Sequence, residues 1–105
     1  MIDVFSILSD ARRRQILSTL AEGEMSAGEI HRTQKDVTFG AISQHLRQLE
    51  LAGLVVARRS GRQRIYSINF VALMPVRSWL DSLWSDALSR LQAIAECEAR
   101  EKSDR

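Results

Sequence analysis

The sequence predicts a single, mainly α domain with a small β-hairpin, and three observations support this prediction. Apolar residues recur at the spacing of an amphipathic helix along most of the chain. A stretch rich in β-branched residues surrounds Ser60-Gly61-Arg62, a pattern typical of two strands and a tight turn. The 105 residues include one proline, and 45% are hydrophobic and 27% charged, as in ordinary globular domains. We expect one domain over residues 1–97 and a frayed, charged tail over residues 98–105.

Four helices are predicted before the hairpin, and three of them begin at a residue type that accepts hydrogen bonds from free backbone amides. These capping residues are Asp10, Ser26 and Thr38. Glu29 follows Ser26 by three positions, which is the spacing of a capping box. Glycines at positions 23 and 53 end two of the helices. The predicted helices cover residues 2–8, 11–21, 26–32 and 38–52.

A hairpin and a long helix complete the predicted fold. Residues 54–59 and 63–68 form the two strands. From Val71 the pattern is helical again, and Pro75 is tolerated in the first turn. At about 1.5 Å per residue this last helix is roughly 40 Å long. The order matches the winged helix-turn-helix plan, with about five helices and a two-stranded wing.

The net charge of +2 is unevenly distributed along the chain. Residues 1–37 and residues 69–105 each carry −1, whereas residues 38–68 carry +4. In that central stretch five arginines are opposed by one acid, Glu50. A concentrated basic patch favours an anionic partner, most often nucleic acid, and a solvated charged face is the alternative.

Two segments carry residue types suited to DNA binding. In the winged plan the second helix of the pair enters the major groove, and the wing lies on the neighbouring backbone. Glutamine and arginine suit adenine and guanine edges, and serine suits bases or phosphates. The candidate DNA-binding residues are Thr38, Phe39, Gly40, Ser43, Gln44, His45, Arg47 and Gln48 on the helix and Arg58, Arg59, Arg62 and Arg64 on the wing.

Base readout is expected from the first half of that helix, at Phe39, Gly40, Ser43 and Gln44. A phosphate is expected at its N-terminus. His45, beside a core leucine, is expected to pack or to contact phosphate rather than a base. A glycine inside a helix costs about 1 kcal/mol relative to alanine. Gly40 therefore indicates either close approach of another backbone or tolerance near a helix end.

The last helix has a wider apolar face than one small domain can cover, and such a stripe marks an interface. The short first helix also needs a partner. We expect a homodimer built from the first and last helices, which requires an inverted-repeat operator in double-stranded DNA. The candidate interface residues are Val4, Phe5, Leu8, Leu80, Leu83, Trp84, Ala87, Leu88 and Leu91.

Other classes of protein are disfavoured. No run of about 18 apolar residues is present, so membrane insertion is not expected. Cys97 is the only cysteine and cannot form an internal disulfide, and Asp3 disfavours a secretory signal, so a cytoplasmic location is expected. No glycine-rich phosphate loop or nucleophile–base set indicates an enzyme. The alternative function is a winged-helix interaction module whose basic face docks an acidic protein.

Three segments resemble the ArsR-type family of bacterial repressors. They are residues 8–17 (LSDARRRQIL), 42–55 (ISQHLRQLELAGLV) and 59–68 (RSGRQRIYSI). The resemblance spans about residues 3–92. It implies a homodimeric winged-helix repressor, often autoregulatory, that blocks its promoter until a signal releases it. By position, it implies that DNA is faced by Ser43, Gln44 and His45 on the helix and by Arg62 and Arg64 on the wing.

The same resemblance also indicates which kind of signal could release the repressor from its promoter. Metal-sensing members carry cysteine pairs in the third helix or Asp, His and Glu sets in the last one. Here the third helix lacks cysteine and the last lacks histidine, so the sequence resembles the metal-free branch, with no metal or cofactor expected. The flanking glutamates disfavour a thiolate at Cys97 and hence a redox role. A small apolar effector near Trp79 or Trp84, oxidation, and sequestration by a protein stay open as inducers.

Overall fold

The computed structural model describes residues 3–103 and divides into two compact units, Met1–Leu73 and Met74–Arg105. Residue 2 of the predicted first helix and residues 104 and 105 of the predicted tail lie outside the described residues. The elements in chain order are α1 (Val4–Ile7), α2 (Ala11–Leu20), β1 (Met25–Ser26), α3 (Ala27–Thr33), α4 (Phe39–Leu51), β2 (Val55–Ser60), β3 (Gln63–Ile68), a 3-10 helix (Phe70–Leu73) and α5 (Met74–Ser103).

The predicted capping residues begin the helices as expected. The Asp10 carboxylate accepts a 2.8 Å hydrogen bond from the backbone amide of Arg12 at the start of α2. Ser26 and Glu29 form a reciprocal capping box on α3, with both hydrogen bonds 3.2 Å long. The Thr38 hydroxyl accepts a 3.1 Å hydrogen bond from an amide in the first turn of α4. The last two sets of hydrogen bonds fix the N-terminal ends of α3 and α4, the two helices of the pair.

The first unit has one hydrophobic core, built from α1 to α4 and from the segment that enters β2. Burial of these apolar side chains is the main force that orients the helices. The buried apolar residues are Ile7, Ile16, Leu17, Leu20, Ile30, Ile42, Leu46, Leu49, Leu54 and Val55. Because α4 supplies three of them, its opposite face is free to point outward.

The sheet has one strand more than the predicted hairpin. The two-residue strand β1 pairs with β3 in antiparallel fashion, with Met25 opposite Tyr66 and Ser26 opposite Ile65, so the order is β1-β3-β2. Two residues are too few to give an alternating pattern, which is why the sequence did not predict β1. This strand joins the start of α3 to the wing.

The turn between β2 and β3 has a loop of two residues, the shortest common length for a hairpin. Ser60 lies opposite Gln63, so only Gly61 and Arg62 form the loop. Gly61 has a φ of +63°, and Arg62 is not among the positive-φ residues of the described chain. This sign pattern is that of a type II′ turn, whose first loop position requires glycine.

The last helix is longer than predicted. α5 has 30 residues, about 45 Å at 1.5 Å per residue, and begins at Met74 after a 3-10 helix that includes the predicted start, Val71. It continues past residue 97, where a frayed tail was expected, to Ser103. Basic residues at positions 100 and 102 stabilise its C-terminal end through the helix dipole. The boundary between the two compact units lies before Met74. No helix within residues 3–103 is long and apolar enough to cross a membrane.

Candidate nucleic-acid interface

A groove of about 500 Å³ runs between α4 and the wing in the first unit; we call it the helix–wing groove. It is lined by Ser26, Ala27, Gly28, Glu29, Arg32, Phe39, Ser43, Arg62, Gln63, Arg64 and Tyr66. The fold therefore brings the expected readout residues Phe39 and Ser43 together with the expected wing residues Arg62 and Arg64. These residues are far apart in the sequence and share one concave, basic surface.

Two neighbouring grooves extend this surface. One, of about 640 Å³, is lined by Ser43, Arg47, Glu50, Leu51, Arg64 and Tyr66. The other, of about 550 Å³, lies on the wing and is lined by Ala57, Arg58, Arg59, Arg62 and Arg64. Arg64 borders all three grooves, so it lies at the centre of the basic surface.

The outward face of α4 carries the remaining candidates. Thr38, Phe39, Gly40, Gln44 and Arg47 are exposed or half-buried, which leaves part of each surface open to a partner. Three further candidates on this helix are Ser43, His45 and Gln48, and each also keeps some surface accessible to solvent.

Among the described residues, no close neighbour requires a glycine at position 40. A Cβ built on it meets only the Thr38 hydroxyl, at an ordinary contact distance of 3.9 Å. Of the two explanations offered by the sequence, close approach of another backbone is therefore not provided by residues 3–103. An approaching partner or simple tolerance remains.

His45 lies within electrostatic reach of the start of α2. Hydrogen bonds from the backbone amides of Arg13 and Arg12 lower the pKa of Asp10, and the nearby His45 imidazole contributes to the same shift. The expected role of His45, in packing or in phosphate contact, stays a prediction.

Two of the four wing arginines form ion pairs. Arg58 Nη2 lies 2.5 Å from Glu24 Oε1, and hydrogen bonding to Arg58 lowers the pKa of the Glu24 carboxyl. Arg64 Nη2 lies 2.9 Å from Glu50 Oε1, and its guanidinium carbon lies 5.8 Å from the Tyr66 ring centroid. All four charged side chains are substantially exposed, so each pair contributes little to stability and can exchange partners.

The other two wing arginines, Arg59 and Arg62, make no ion pair within residues 3–103. Both are exposed, and Arg62 is one of the two loop residues of the hairpin. They are the cations of the wing most directly available to phosphate.

Sequence reasoning missed Arg32 and Tyr66, which line the helix–wing groove. Arg32 lies on α3, outside the basic segment defined by the charge count. The sequence carried no signal for either residue, because only the packing of α3 beside β3 brings Arg32 and Tyr66 to the same groove.

A buried polar network ties α2 to the turn between α3 and α4. The side chain of Gln34 is buried, accepts a 3.2 Å hydrogen bond from Arg12 Nη1 and donates a 3.3 Å bond to the Thr19 hydroxyl. Arg12 also forms a bidentate ion pair with Asp36. Because these bonds fix the turn, they help to set the direction in which α4 leaves it.

Within the described part of the chain, no three His, Cys, Asp or Glu side chains lie close enough to hold a metal ion. The three grooves are lined by arginines, serines, a glutamine, two aromatic rings and the carboxylates of Glu29 and Glu50.

Together, the α3–α4 pair and the β2–β3 wing define a winged helix-turn-helix protein, a class in which one helix and the wing contact DNA. Comparisons with known proteins agree. Residues 10–56 match the family model described as "Bacterial regulatory protein, arsR family". This chain belongs to the ArsR family of bacterial regulatory proteins, which are transcriptional regulators and not enzymes.

Two relatives and one solved structure illustrate this membership. The HTH-type transcriptional regulator Rv2034 of Mycobacterium tuberculosis is 36% identical over 91 residues, covering 87% of this chain and 84% of the relative. The transcriptional repressor SdpR of Bacillus subtilis is 35% identical over 80 residues, 76% of this chain and 88% of SdpR. The homodimeric winged helix-turn-helix DNA-binding domain of Mb0332 from Mycobacterium bovis matches with a TM-score of 0.62 at 30% identity, covering 79% of this chain and 76% of that one.

Proposed function

We propose that this chain is a homodimeric, sequence-specific transcriptional repressor that binds an inverted-repeat operator in double-stranded DNA, including one upstream of its own gene. The observation that carries this proposal is the helix–wing groove, in which the outward face of α4 meets the arginines of the wing. A concave surface with this charge suits a duplex whose groove receives α4 while its phosphates meet the wing.

Each element has a distinct role in this proposal. The N-terminal half of α4 reads base edges, with Gln44 suited to adenine, and Arg47 further along the helix is suited to guanine. Arg59 and Arg62 bind phosphates or enter the minor groove beside the wing. Arg58 and Arg64 exchange their carboxylate partners for phosphate, an exchange that is inexpensive because both ion pairs are exposed.

Dimerisation is proposed through the first and last helices. The candidate side chains of α5 are largely exposed, which is unusual for so many large apolar residues along one helix. They are Leu80, Leu83, Trp84, Leu88 and Leu91, whereas Ala87, the sixth candidate on this helix, is half-buried. In α1, Val4 and the adjoining Leu8 pack partly against the core of their own unit, whereas Phe5 is 44% exposed. The homodimeric state of the Mb0332 domain and the repressor function of SdpR support extending both properties to this chain.

Regulation without a metal is part of the same proposal. It is supported by the absence of cysteine in α3 and of histidine in α5 within residues 3–103, since neutral imidazole or thiolate ligands are what zinc and copper require. A small molecule, an oxidant or a protein partner is then left as the class of inducer.

The test is fluorescence anisotropy with the duplex upstream of the chain's own gene and a scrambled duplex, at several salt concentrations. Tight binding to the first duplex alone is expected at physiological salt. Arg62→Ala is expected to weaken binding to both duplexes and to lower the salt slope by about one unit for each phosphate that is no longer neutralised. Gln44→Ala is expected to reduce the preference between the duplexes.

Arg100→Ala is the matched control, because it removes the same charge from a residue that lines none of the three grooves. Its binding curves should coincide with those of the unmodified protein. Unchanged affinity in both Arg62→Ala and Gln44→Ala would refute the proposed interface. An absence of duplex binding at low salt, with capture of an acidic protein instead, would favour the interaction module.

A further inference from the structure

We propose that Phe39 reads a thymine in each half-site by apolar contact with its C5 methyl group. This inference rests on the proposed function, because it assigns a base to one residue of the proposed DNA-binding surface. It adds an apolar contact to the base-specific hydrogen bonds proposed for Gln44 and Arg47.

The position of Phe39 in the fold is the first argument. It is the first residue of α4, directly after the Thr38 cap, and the N-terminal residues of a recognition helix are those that reach base edges. Its side chain is 51% exposed, whereas the apolar residues that follow on the core face of α4 are fully buried. A single exposed hydrophobic residue is ordinary. Phe39 differs because it lines a groove beside Arg32 and Arg62, where a polyanion would bring bases close to the ring.

The ring is also held in place. The His31 and Phe39 rings meet edge to face, with centroids 6.0 Å apart and planes at 83°. His31 is itself fixed by a 2.9 Å hydrogen bond that its Nε2 donates to the carbonyl oxygen of Val37. A ring restrained in the free protein loses less rotamer freedom on binding, so its contacts add more to affinity and selectivity. His31 is thus a positioning residue for Phe39.

The space beside the ring suits a base edge. Gly40 follows Phe39 and is exposed, and apart from the adjoining backbone of its own helix the nearest atom of the described chain to a Cβ built there is the Thr38 hydroxyl, at 3.9 Å. A base edge can therefore approach the backbone at this point. Phenylalanine has no hydrogen-bonding group, and thymine is the only one of the four bases that presents a methyl group in the major groove. Apolar contact with that methyl is the one base-specific interaction open to this side chain.

The experiment uses uracil, which is thymine without the methyl group. The full-length protein first selects tight-binding duplexes from a randomised pool. Each thymine of the selected site is then replaced singly by deoxyuridine, and affinities are measured by anisotropy. At one position per half-site, we expect uracil to weaken binding about fourfold, the effect of one buried methyl-sized group.

Variants assign the effect to Phe39. In Phe39→Ala the same uracil substitution should leave affinity unchanged, and in His31→Ala the ratio of uracil to thymine dissociation constants should fall towards one. Phe39→Leu should retain a measurable thymine preference because it remains apolar. Phe70→Ala removes another exposed aromatic ring, 63% exposed and outside the grooves, and should keep the full ratio.

Two results would overturn the inference while leaving the proposed function intact. One is a selected site in which no thymine is sensitive to uracil substitution. The other is a sensitivity that persists unchanged in Phe39→Ala. Failure to enrich any duplex from the pool would instead refute the proposed function itself, and this inference with it.

Discussion

At the level of single residues, a substitution at Gly40 is expected to change the stability of the protein and its affinity for DNA in opposite directions. Gly40→Ala is expected to raise the free energy of unfolding by about 0.5–1 kcal/mol, because alanine favours the helix and its Cβ meets only an ordinary contact. The same methyl group should weaken operator binding, because it occupies space on the proposed DNA-facing surface. Urea denaturation and anisotropy measure the two effects separately.

A Gly40→Ala protein that gains stability and binds its operator unchanged would contradict the placement of Gly40 against DNA. Tolerance near a helix end would then be the explanation for this glycine.

The capping residues show which single-residue features are accessible from sequence. Asp10, Ser26 and Thr38 were predicted because a cap and the amide it binds lie within three positions of each other. The partners of Arg58 and Arg64 were not predicted. Their carboxylates lie 34 and 14 positions away, so only the folded chain brings them together.

At the level of elements, the wing depends on its two-residue turn. Gly61→Ala is expected to lower the free energy of unfolding by about 1 kcal/mol, because an L-residue is strained at a φ of +63°. Ser60→Ala, at the neighbouring exposed strand residue, is the control and should change it by less than about 0.5 kcal/mol. Thermal or urea unfolding of the two variants makes the comparison.

Equal stability of the Gly61→Ala and Ser60→Ala variants would argue against a strained turn. The strand register, from Val55 opposite Ile68 to Ser60 opposite Gln63, would then need another explanation.

Elements with a clear periodic or turn signal were predicted well. The span of β3 agrees with its prediction, and the ends of α3 and α4 agree to within one residue. The buried contacts of Gln34 were not foreseen, because a glutamine between two helices ordinarily indicates a solvated turn. Its hydrogen bonds to Arg12 and Thr19 depend on how α2 packs, which sequence periodicity does not reveal.

At the level of the whole molecule, α5 is expected to bring two copies together. Leu88 is 60% exposed on this helix. Leu88→Glu should convert the dimer to a monomer, because it would place a charge in an apolar interface, where an unpaired charge is strongly destabilising. Sedimentation velocity measures the change, and operator affinity should fall with it because each half-site is then bound alone.

Ser89→Glu introduces the same charge one position along the exposed surface of α5 and should leave the protein dimeric. A monomeric unmodified protein at the same concentration, or a Leu88→Glu protein that still sediments as a dimer, would contradict the proposed interface.

The division of the chain into two units was not predicted. The helical apolar pattern already begins at Val71, so nothing in its periodicity marks a boundary before Met74. The exposure of residues such as Trp84 and Leu91, at 66% and 61%, agrees with the expectation that one small domain cannot cover this apolar face. Sequence and structure together thus assign the proposed DNA-facing surface to the first unit and the candidate dimer surface largely to the second.

Ser26 belongs to two hydrogen-bonded systems at once. Its backbone is part of the β1–β3 ladder, opposite Ile65, and its side chain caps α3 through the amide of Glu29. Ser26 therefore connects strand β3 of the wing directly to the N-terminal end of α3. Because one residue pairs with β3 and caps α3, we expect a displacement of the wing at β3 to be transmitted to the first turn of α3.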